Sequence, residues 1–436
     1  MDRRNLFTGL RKKRGLEVAI NKSDAKKFVG QIEGLFEEIP MGGTVRNFLK
    51  NKVMGPVLED FREYIEESRP PVFYLIGRSG HGKSSLINAL AGKEVAPVGD
   101  VKPTTRETKK YYIPFKESCS EWVFFDTRGI FESTRPDGAT EEDAVEYLRK
   151  DIKEKNPDII MHIIGAPEAR NLSNDLEVIK KISNDLKKHF DFVPPVIVVI
   201  NKVDTLGDPR EWPPKRYAKK ANLIEEVLDY LTYKVFKLQK ESVKRIDSES
   251  QIKGYAISDT TYIGIIPVCS IKGDEWNIET LSEFIFEHLP KSAILEFVQA
   301  QKSKGLLRKF SRRVIHRFAV IAGGIGASPI PISDIIILTP LQFIMIGIIG
   351  GLSCRSLSIE TAKKYLASGG VLTGVAIGLR TAAQQLAKFL PGVGTIISAA
   401  IAGGGTYGLG RAAEAYFFSG EIKKPKEFEG DWKKLS

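Results

Sequence analysis

Residues 72–85 read Val72-Phe73-Tyr74-Leu75-Ile76-Gly77-Arg78-Ser79-Gly80-His81-Gly82-Lys83-Ser84-Ser85. An apolar run of strand length passes into a glycine-rich turn, and a helix-like stretch over 83–91 follows it. The turn fits the pattern Gly, four residues, Gly, Lys, then Ser or Thr, whose backbone cradles phosphates. The chemistry dictates this spacing. Gly77, Gly80 and Gly82 let the chain curl so that the N–H groups of Ser79, Gly80, His81, Gly82, Lys83, Ser84 and Ser85 turn inward toward phosphate oxygens. Lys83 neutralises phosphate charge, and the Ser84 hydroxyl can bind a Mg2+ that bridges the β- and γ-phosphates.

Further short apolar runs follow at Trp122 to Phe125, Ile159 to Ile164, Val196 to Ile200 and Ile263 to Val268. They read as strands buried on both faces, separated by helix-like stretches at 139–153, 173–189, 217–245 and 278–289. This alternation describes an α/β fold with a doubly wound sheet over residues 70–290. Residues 22–67 read as two helices, the second ending before Pro70 and Pro71, so residues 1–69 form a basic N-terminus with a helical extension.

Two more motifs sit at strand ends. Asp126-Thr127-Arg128-Gly129 closes the strand expected beside the phosphate loop, where Asp126 can hold magnesium through water and the Gly129 N–H can meet the γ-phosphate. Asn201-Lys202-Val203-Asp204 follows Val196 to Ile200. The Asp204 carboxylate can accept two hydrogen bonds from the N1 and exocyclic amino groups of guanine, which adenine cannot supply, so GTP is expected over ATP.

Taken in order, with Pro103-Thr104-Thr105-Arg106 between the first two and Pro267-Val268-Cys269-Ser270-Ile271-Lys272-Gly273 after the third, these motifs resemble the G domain of Era-like GTPases, within the translation-factor-related class of P-loop GTPases. The resemblance implies GTP hydrolysis with Mg2+. It makes Thr105, with Thr104 as the alternative, the switch threonine that binds magnesium and γ-phosphate, and it places Ser270 in the loop supporting the guanine carbonyl. The register there is open by one residue: either Cys269-Ser270 or Ser270-Ile271 replaces the family's Ser-Ala. Two departures matter. Gly80 stands where many relatives carry a potassium-binding asparagine, which puts potassium stimulation in doubt. Ile130 stands where Ras-like proteins place the glutamine that orients the attacking water, so slow turnover is expected, with the missing group supplied by an activating partner, a nucleotide-dependent dimer or another part of the chain. Arg78, Arg106 and Arg128 read as surface or effector-contact residues before arginine fingers, and the His81 imidazole is expected to pack or face solvent.

Beyond Pro290 the character changes. A basic segment from Lys302 to Arg317, with seven basic residues and no acidic one, precedes the uncharged stretches Ile335 to Cys354 and Phe389 to Gly410. Residues 291–420 are expected to form a glycine-rich, hydrophobic, all-α domain, with 421–436 as a tail. The segment Ser328-Pro329-Ile330-Pro331-Ile332-Ser333-Asp334 and the helix carrying Gln342 resemble a domain of unknown function that follows the G domain in some Era-like GTPases. Ile335 to Cys354 is apolar all round and must be buried in protein or in lipid. With the basic run just ahead of it, lipid is the expected solvent, and a water-soluble helical bundle is the alternative.

The basic run and the N-terminus (six basic residues and one acidic within 1–14) sum to +12 against a formal charge of +11, so the remainder of the chain is close to neutral. Cys119, Cys269 and Cys354 show no zinc or disulfide spacing, and no signal-peptide run follows the basic N-terminus, so a cytoplasmic protein is expected. The leading expectation is a regulatory GTPase held peripherally or integrally at the cytoplasmic face of a membrane, with GTP or GDP, membrane lipid or a membrane protein, and an effector as partners. An RNA-binding GTPase of ribosome assembly ranks behind it, because Gly323-Gly324-Ile325-Gly326 fits an RNA-clamping loop without the basic residues to clamp. A dynamin-like protein that remodels membranes is the third class.

Overall fold

The computed structural model describes residues 22–37, 55–96, 108–115, 120–127, 141–169, 193–248, 251–258, 261–300, 304–326, 334–353, 359–368 and 399–432, with isolated positions at 43, 47, 50, 51 and 355. They divide into two compact units, one drawn from residues 70–114 and 121–290, the other from 1–69, 115–120 and 291–436.

In the first unit the apolar runs become the parallel centre of a mixed eight-stranded sheet. Its strands are β1 (Val72–Ile76), β2 (Lys109–Phe115), β3 (Ser120–Asp126), β4 (Ile159–Gly165), β5 (Val196–Asn201), β6 (Val243–Ser248), β7 (Gln251–Ile257) and β8 (Tyr262–Pro267), in the order β2-β3-β1-β4-β5-β8-β7-β6. Strands β3, β1, β4, β5 and β8 run parallel, so their C-terminal ends share one edge. Every residue of β1, β3, β4 and β5 is buried, which is why these strands lack polar alternation.

Three strands were not legible as apolar runs. Among the described side chains of β2, Tyr111, Ile113 and Phe115 are buried and Lys110, Tyr112 and Pro114 are not, the period-2 pattern of an edge strand, and Pro114 is tolerated there. Strands β6 and β7 form a hairpin within and just beyond the expected helix 217–245, and they add to β8 antiparallel. The helix there is shorter than expected: it covers Ala218–Asp229 and a wider turn Tyr230–Val235, and Lys237, at φ 52°, ends it. The expected helix 173–189 lies outside the described residues, whereas those at 83–91, 139–153 and 278–289 appear as Lys83–Ala91, Glu141–Lys155 and Ile278–His288.

The second unit is helical. It comprises α1 (Lys22–Glu37), α2 (Gly55–Phe61, continued by a wider turn Arg62–Glu66), α3 (Lys291–Ala300), α4 (Lys304–Gly326), α5 (Asp334–Leu352), α6 (Ile359–Ser368) and α7 (Ala399–Ser419). Within this unit Phe28 of α1 stacks at 5.8 Å on Phe61 of α2, and Tyr64 lies 5.1 Å from Phe310 of α4.

The basic run lies on α4, which is amphipathic. Leu306, Phe310, Val314, Ile315, Phe318, Ala319 and Ala322 are buried, while Arg312, Arg313 and Arg317 are exposed. Arg312 pairs with Glu414 at 3.5 Å, and Arg317 pairs with Asp60. Gly323 to Gly326 closes the same helix, so the formal match to an RNA-clamping loop is a helix end.

The apolar stretch Ile335 to Cys354 corresponds to α5. Leu341, Phe343, Ile344, Met345, Ile346, Ile349 and Leu352 are buried in protein, which corrects the expectation of lipid as its solvent. Its polar Gln342 donates to Thr406 Oγ1 at 3.1 Å, so the bundle satisfies it internally. Among the described residues no helix is long and apolar enough to cross a membrane. Of the second uncharged stretch, residues 399–410 belong to α7 and residues 389–398 lie outside the described residues.

Close helix approach explains the glycines. A Cβ on Gly410 of α7 would lie 2.8 Å from two carbons of Ile315 on α4 and 3.0 Å from Met345 Sδ on α5. Gly410→Val is therefore expected to destabilise this unit by about 1–3 kcal/mol. Thermal unfolding followed by helical circular dichroism checks this, and an unchanged midpoint contradicts the packing.

Candidate functional site

Four loops leave the shared edge of the sheet. The first, after β1, enters helix Lys83–Ala91 through Gly82, whose φ of 84° only glycine adopts readily. At the other end of the loop a Cβ on Gly77 would lie 2.5 Å from the Ile163 carbonyl oxygen of β4. Between them Ser79 and Gly80 are exposed, and Ser84 and Ser85 are half-buried on the first turn of the helix. Lys83 is buried and its Nζ donates to the Gly77 and Arg78 carbonyls at 2.8 and 3.1 Å, closing the loop on itself.

The second loop follows β3. Leu75 of β1 is in register with Asp126, and Thr127 fixes this junction by donating its hydroxyl to the Leu75 carbonyl at 2.8 Å. Asp126 Oδ1 thereby sits 4.0 Å from Lys83 Nζ. The oxygen donors of Ser84 and Asp126 suit Mg2+. Among the described residues no cluster of three His, Cys, Asp or Glu could hold a metal by itself. A magnesium ion here would complete its coordination with phosphate oxygens and water. Thr104, Thr105, Gly129 and Ile130 lie outside the described residues.

The third and fourth loops follow β5 and β8. Asn201 is fully buried, and its Nδ2 donates to the His81 and Gly82 carbonyls at 3.0 and 3.3 Å. Its Oδ1 accepts from Ser270 Oγ at 2.9 Å. The Asn201 side chain is thus bonded to protein, and it ties the loop after β1 to the loops after β5 and β8. Lys202 adopts φ 63° and leads into a tight turn Val203–Thr205 that carries Asp204. Asp204 Oδ1 is buried with no hydrogen-bond partner among the described residues. The turn is held from behind by Lys220, a fully buried side chain whose Nζ donates to the Asp204 carbonyl at 2.7 Å and to the Leu206 carbonyl. Burial pulls the Lys220 pKa down, and the Asp204 charge opposes that shift. Cys269 is buried, and burial, reinforced by the Asp204 carboxylate, pushes its thiol up to about 12. Ile271 is exposed.

His81 packs rather than facing solvent. Its Nδ1 is 3.0 Å from the Ile163 carbonyl oxygen and its Nε2 is 2.9 Å from Glu168 Oε2. A second imidazole, His162 of β4, is buried in the sheet. Sequence reading missed Thr127, His162, Glu168 and Lys220. Thr127 carries a signal, since it adjoins a motif aspartate; the other three act through contacts that no local pattern announces.

The parallel sheet, the glycine-rich turn after its first strand and the buried acceptor at its far loop have the arrangement of a P-loop domain. Residues 72–202 match the family model described as 50S ribosome-binding GTPase. Over that stretch the chain is similar to Era-like P-loop GTPases. It is 27% identical over 233 residues to GTPase Der of Persephonella marina, covering 50% of this chain and 48% of that one. It is 33% identical over 134 residues to GTPase Era of Fusobacterium nucleatum, covering 31% of this chain and 40% of that one. The chain therefore spans about half the length, or less, of these relatives. A solved structure of an Era variant from Aquifex aeolicus bound to GDP and AlF4− aligns at 24% identity with a TM-score of 0.32, covering 60% of this chain and 69% of that one.

His162 generates a stability prediction. Burial, with His81 and Arg78 adding, pushes it from 6.5 down to about 3. The fold holds the neutral ring, so this contribution is complete above about pH 6.5 and is lost as pH falls toward 3, at about 1.4 kcal/mol per pH unit. Urea unfolding at stepped pH should show wild type losing stability faster than His162→Leu over that window; parallel losses contradict the assignment.

Proposed function

We propose that the chain binds GTP and GDP at this edge of the sheet and hydrolyses GTP slowly to GDP and phosphate, as a regulatory switch. The observation that carries the reading is the buried, unsatisfied Asp204 Oδ1 on a loop that Asn201 holds against the phosphate loop. Two N–H donors of guanine satisfy that carboxylate, whereas adenine leaves it unpaired and costs the full desolvation penalty.

The phosphates lie against the N–H groups of residues 79–85 and the positive end of helix Lys83–Ala91, and Lys83 neutralises the β- and γ-phosphates. Ser84 and Asp126, with Thr105 or Thr104 as the switch threonine, would hold Mg2+, which when bound screens phosphate charge. The Gly129 N–H meets the γ-phosphate, and backbone N–H groups at Ser270 and Ile271 support the guanine carbonyl. Ile130 cannot orient water, so the group that accelerates hydrolysis comes from an activating partner, a nucleotide-dependent dimer or another part of the chain.

Calorimetry on the full-length protein with Mg2+ should show GDP and GTP binding, with ATP weaker by at least about a hundredfold. Asp204→Asn replaces an acceptor by a donor, so it should lose a similar factor for GDP and gain affinity for the xanthine nucleotide, whose carbonyl replaces the guanine amino group. Equal binding of ATP and GTP by wild type sinks the reading.

A second reading concerns the partner. Arg312, Arg313 and Arg317 of α4 remain exposed although Arg312 and Arg317 also pair with Glu414 and Asp60, a face that a polyanion can contact, and the family description names ribosome binding. With α5 buried in protein, a ribosomal RNA partner accounts for this face better than a lipid surface. The purified protein should sediment with ribosomal particles, the bound fraction falling steeply with salt and falling further in Arg313→Ala. Sedimentation with anionic liposomes in place of ribosomal particles would restore the membrane reading.

A further inference from the structure

The helix Ala218–Asp229 buries one residue per turn: Lys220, Ile224 and Leu228. Positions spaced by four form the core-facing stripe of an amphipathic helix, and here a lysine stands in it. Its side chain is wholly enclosed. Taking a lysine head group out of water is costly, and an unbranched apolar residue of similar length would fill the same space without that cost. Helix packing therefore does not account for Lys220.

Its hydrogen bonds do. Nζ donates to the Asp204 carbonyl at 2.7 Å and to the Leu206 carbonyl, so one side chain grips the turn after β5 on both sides of Thr205. The turn also closes on itself. Thr205 donates its N–H and its hydroxyl to the Lys202 carbonyl at 3.1 and 2.7 Å, and the Leu206 N–H reaches the Val203 carbonyl at 3.3 Å. Those bonds set its shape. Its position is set from two sides, by the Val203 N–H on the Val268 carbonyl at 3.4 Å and by Lys220. One residue past Leu206 the chain touches the same helix again, since a Cβ on Gly207 would lie 2.8 Å from Leu223 Cδ1.

Position matters because of what the turn carries. Asp204 Oδ1 is buried with no hydrogen-bond partner among the described residues. A carboxylate that accepts two hydrogen bonds from one planar base tolerates little tilt, because each bond weakens steeply as its angle closes. Lys220 holds the backbone of Asp204 itself, so a shift of the turn moves the carboxylate directly. Neither Lys220 bond reaches the glycine-rich loop after β1.

We propose that Lys220 is a positioning residue for base recognition, whose grip on the Asp204 and Leu206 carbonyls aims the Asp204 carboxylate at both N–H donors of guanine. This rests on the reading of the site as one for GTP and GDP. The phosphate contacts do not depend on it.

The test compares GDP with inosine diphosphate, whose base keeps the N1–H of guanine and lacks the exocyclic amino group, by calorimetry on the full-length protein with Mg2+. Wild type should bind GDP tighter by at least about tenfold, because the inosine base leaves one carboxylate oxygen unpaired. Lys220→Met keeps the length of the side chain and removes its donors. The preference should then fall to about threefold or less, with GDP losing more affinity than inosine diphosphate. Gly207→Ala, at an exposed position, presses the turn away from the helix without opening the core, and should lower the preference in the same direction. It decides the question if Lys220→Met does not fold. A preference unchanged from wild type, whether both affinities hold or both fall together, overturns the proposal and leaves the nucleotide site standing. Wild type that binds the two nucleotides equally removes the base-reading role of Asp204, and the proposal with it. No GDP binding by wild type overturns the site itself.

Discussion

The Asn201 carboxamide sits where three loops meet, shielded from water, and it uses both of its ends. Its nitrogen reaches two carbonyls of the phosphate loop and its oxygen takes the Ser270 hydroxyl. A buried amide that bonds three partners across separate strands admits few alternative arrangements, because each unmade bond leaves a polar group stranded in a low-dielectric interior. The glycine-rich loop after β1 and the loops after β5 and β8 are therefore tied together through one buried side chain. The flexibility a glycine-rich loop would otherwise have is removed by its neighbours: Lys83 closes it, Asn201 holds one flank and His81 anchors the underside.

The sheet makes this meeting possible. Parallel pairing of β3, β1, β4, β5 and β8 brings the C-terminal ends of four motif-bearing strands to one edge. Register does the fine placement. Leu75 opposite Asp126 puts a carboxylate beside Lys83, and Thr127 locks that junction to β1. In the helical unit the controlling constraint is steric. Glycine at 410 on α7 and at 347 and 350 on α5 leaves room for Ile315, Phe28 and Thr361, and the described side chains of the apolar helix, at 338 and 340–352, are buried in protein.

Errors of sequence reading fall where local pattern and tertiary context disagree. A stretch without polar residues says that water is excluded, not what excludes it, so α5 was as compatible with lipid as with the helices that bury it. The basic run on α4 carries charge on one face only, and Asp60 and Glu414, distant in sequence, partner it. The β6–β7 hairpin was missed because the described residues of β6 are half-buried or exposed and β7 mixes buried with half-buried positions, so neither makes an apolar run, and a helix pattern continued past the left-handed Lys237 that ends it.

The sequence by itself determined the motifs, their order and the strands that carry them, since each depends on contiguous residues: a run of Val and Ile to be buried, a glycine where φ must be positive, a lysine one step later. Only the tertiary structure decided that Asn201 bonds protein, that Lys220 backs the Asp204 turn, that His81 lies between Ile163 and Glu168, and that α5 is covered by helices. The bond from Asn201 to His81 alone joins residues 120 positions apart. Side-chain identity sets what such a group can bond, but the partner it finds depends on the packing of every strand between them.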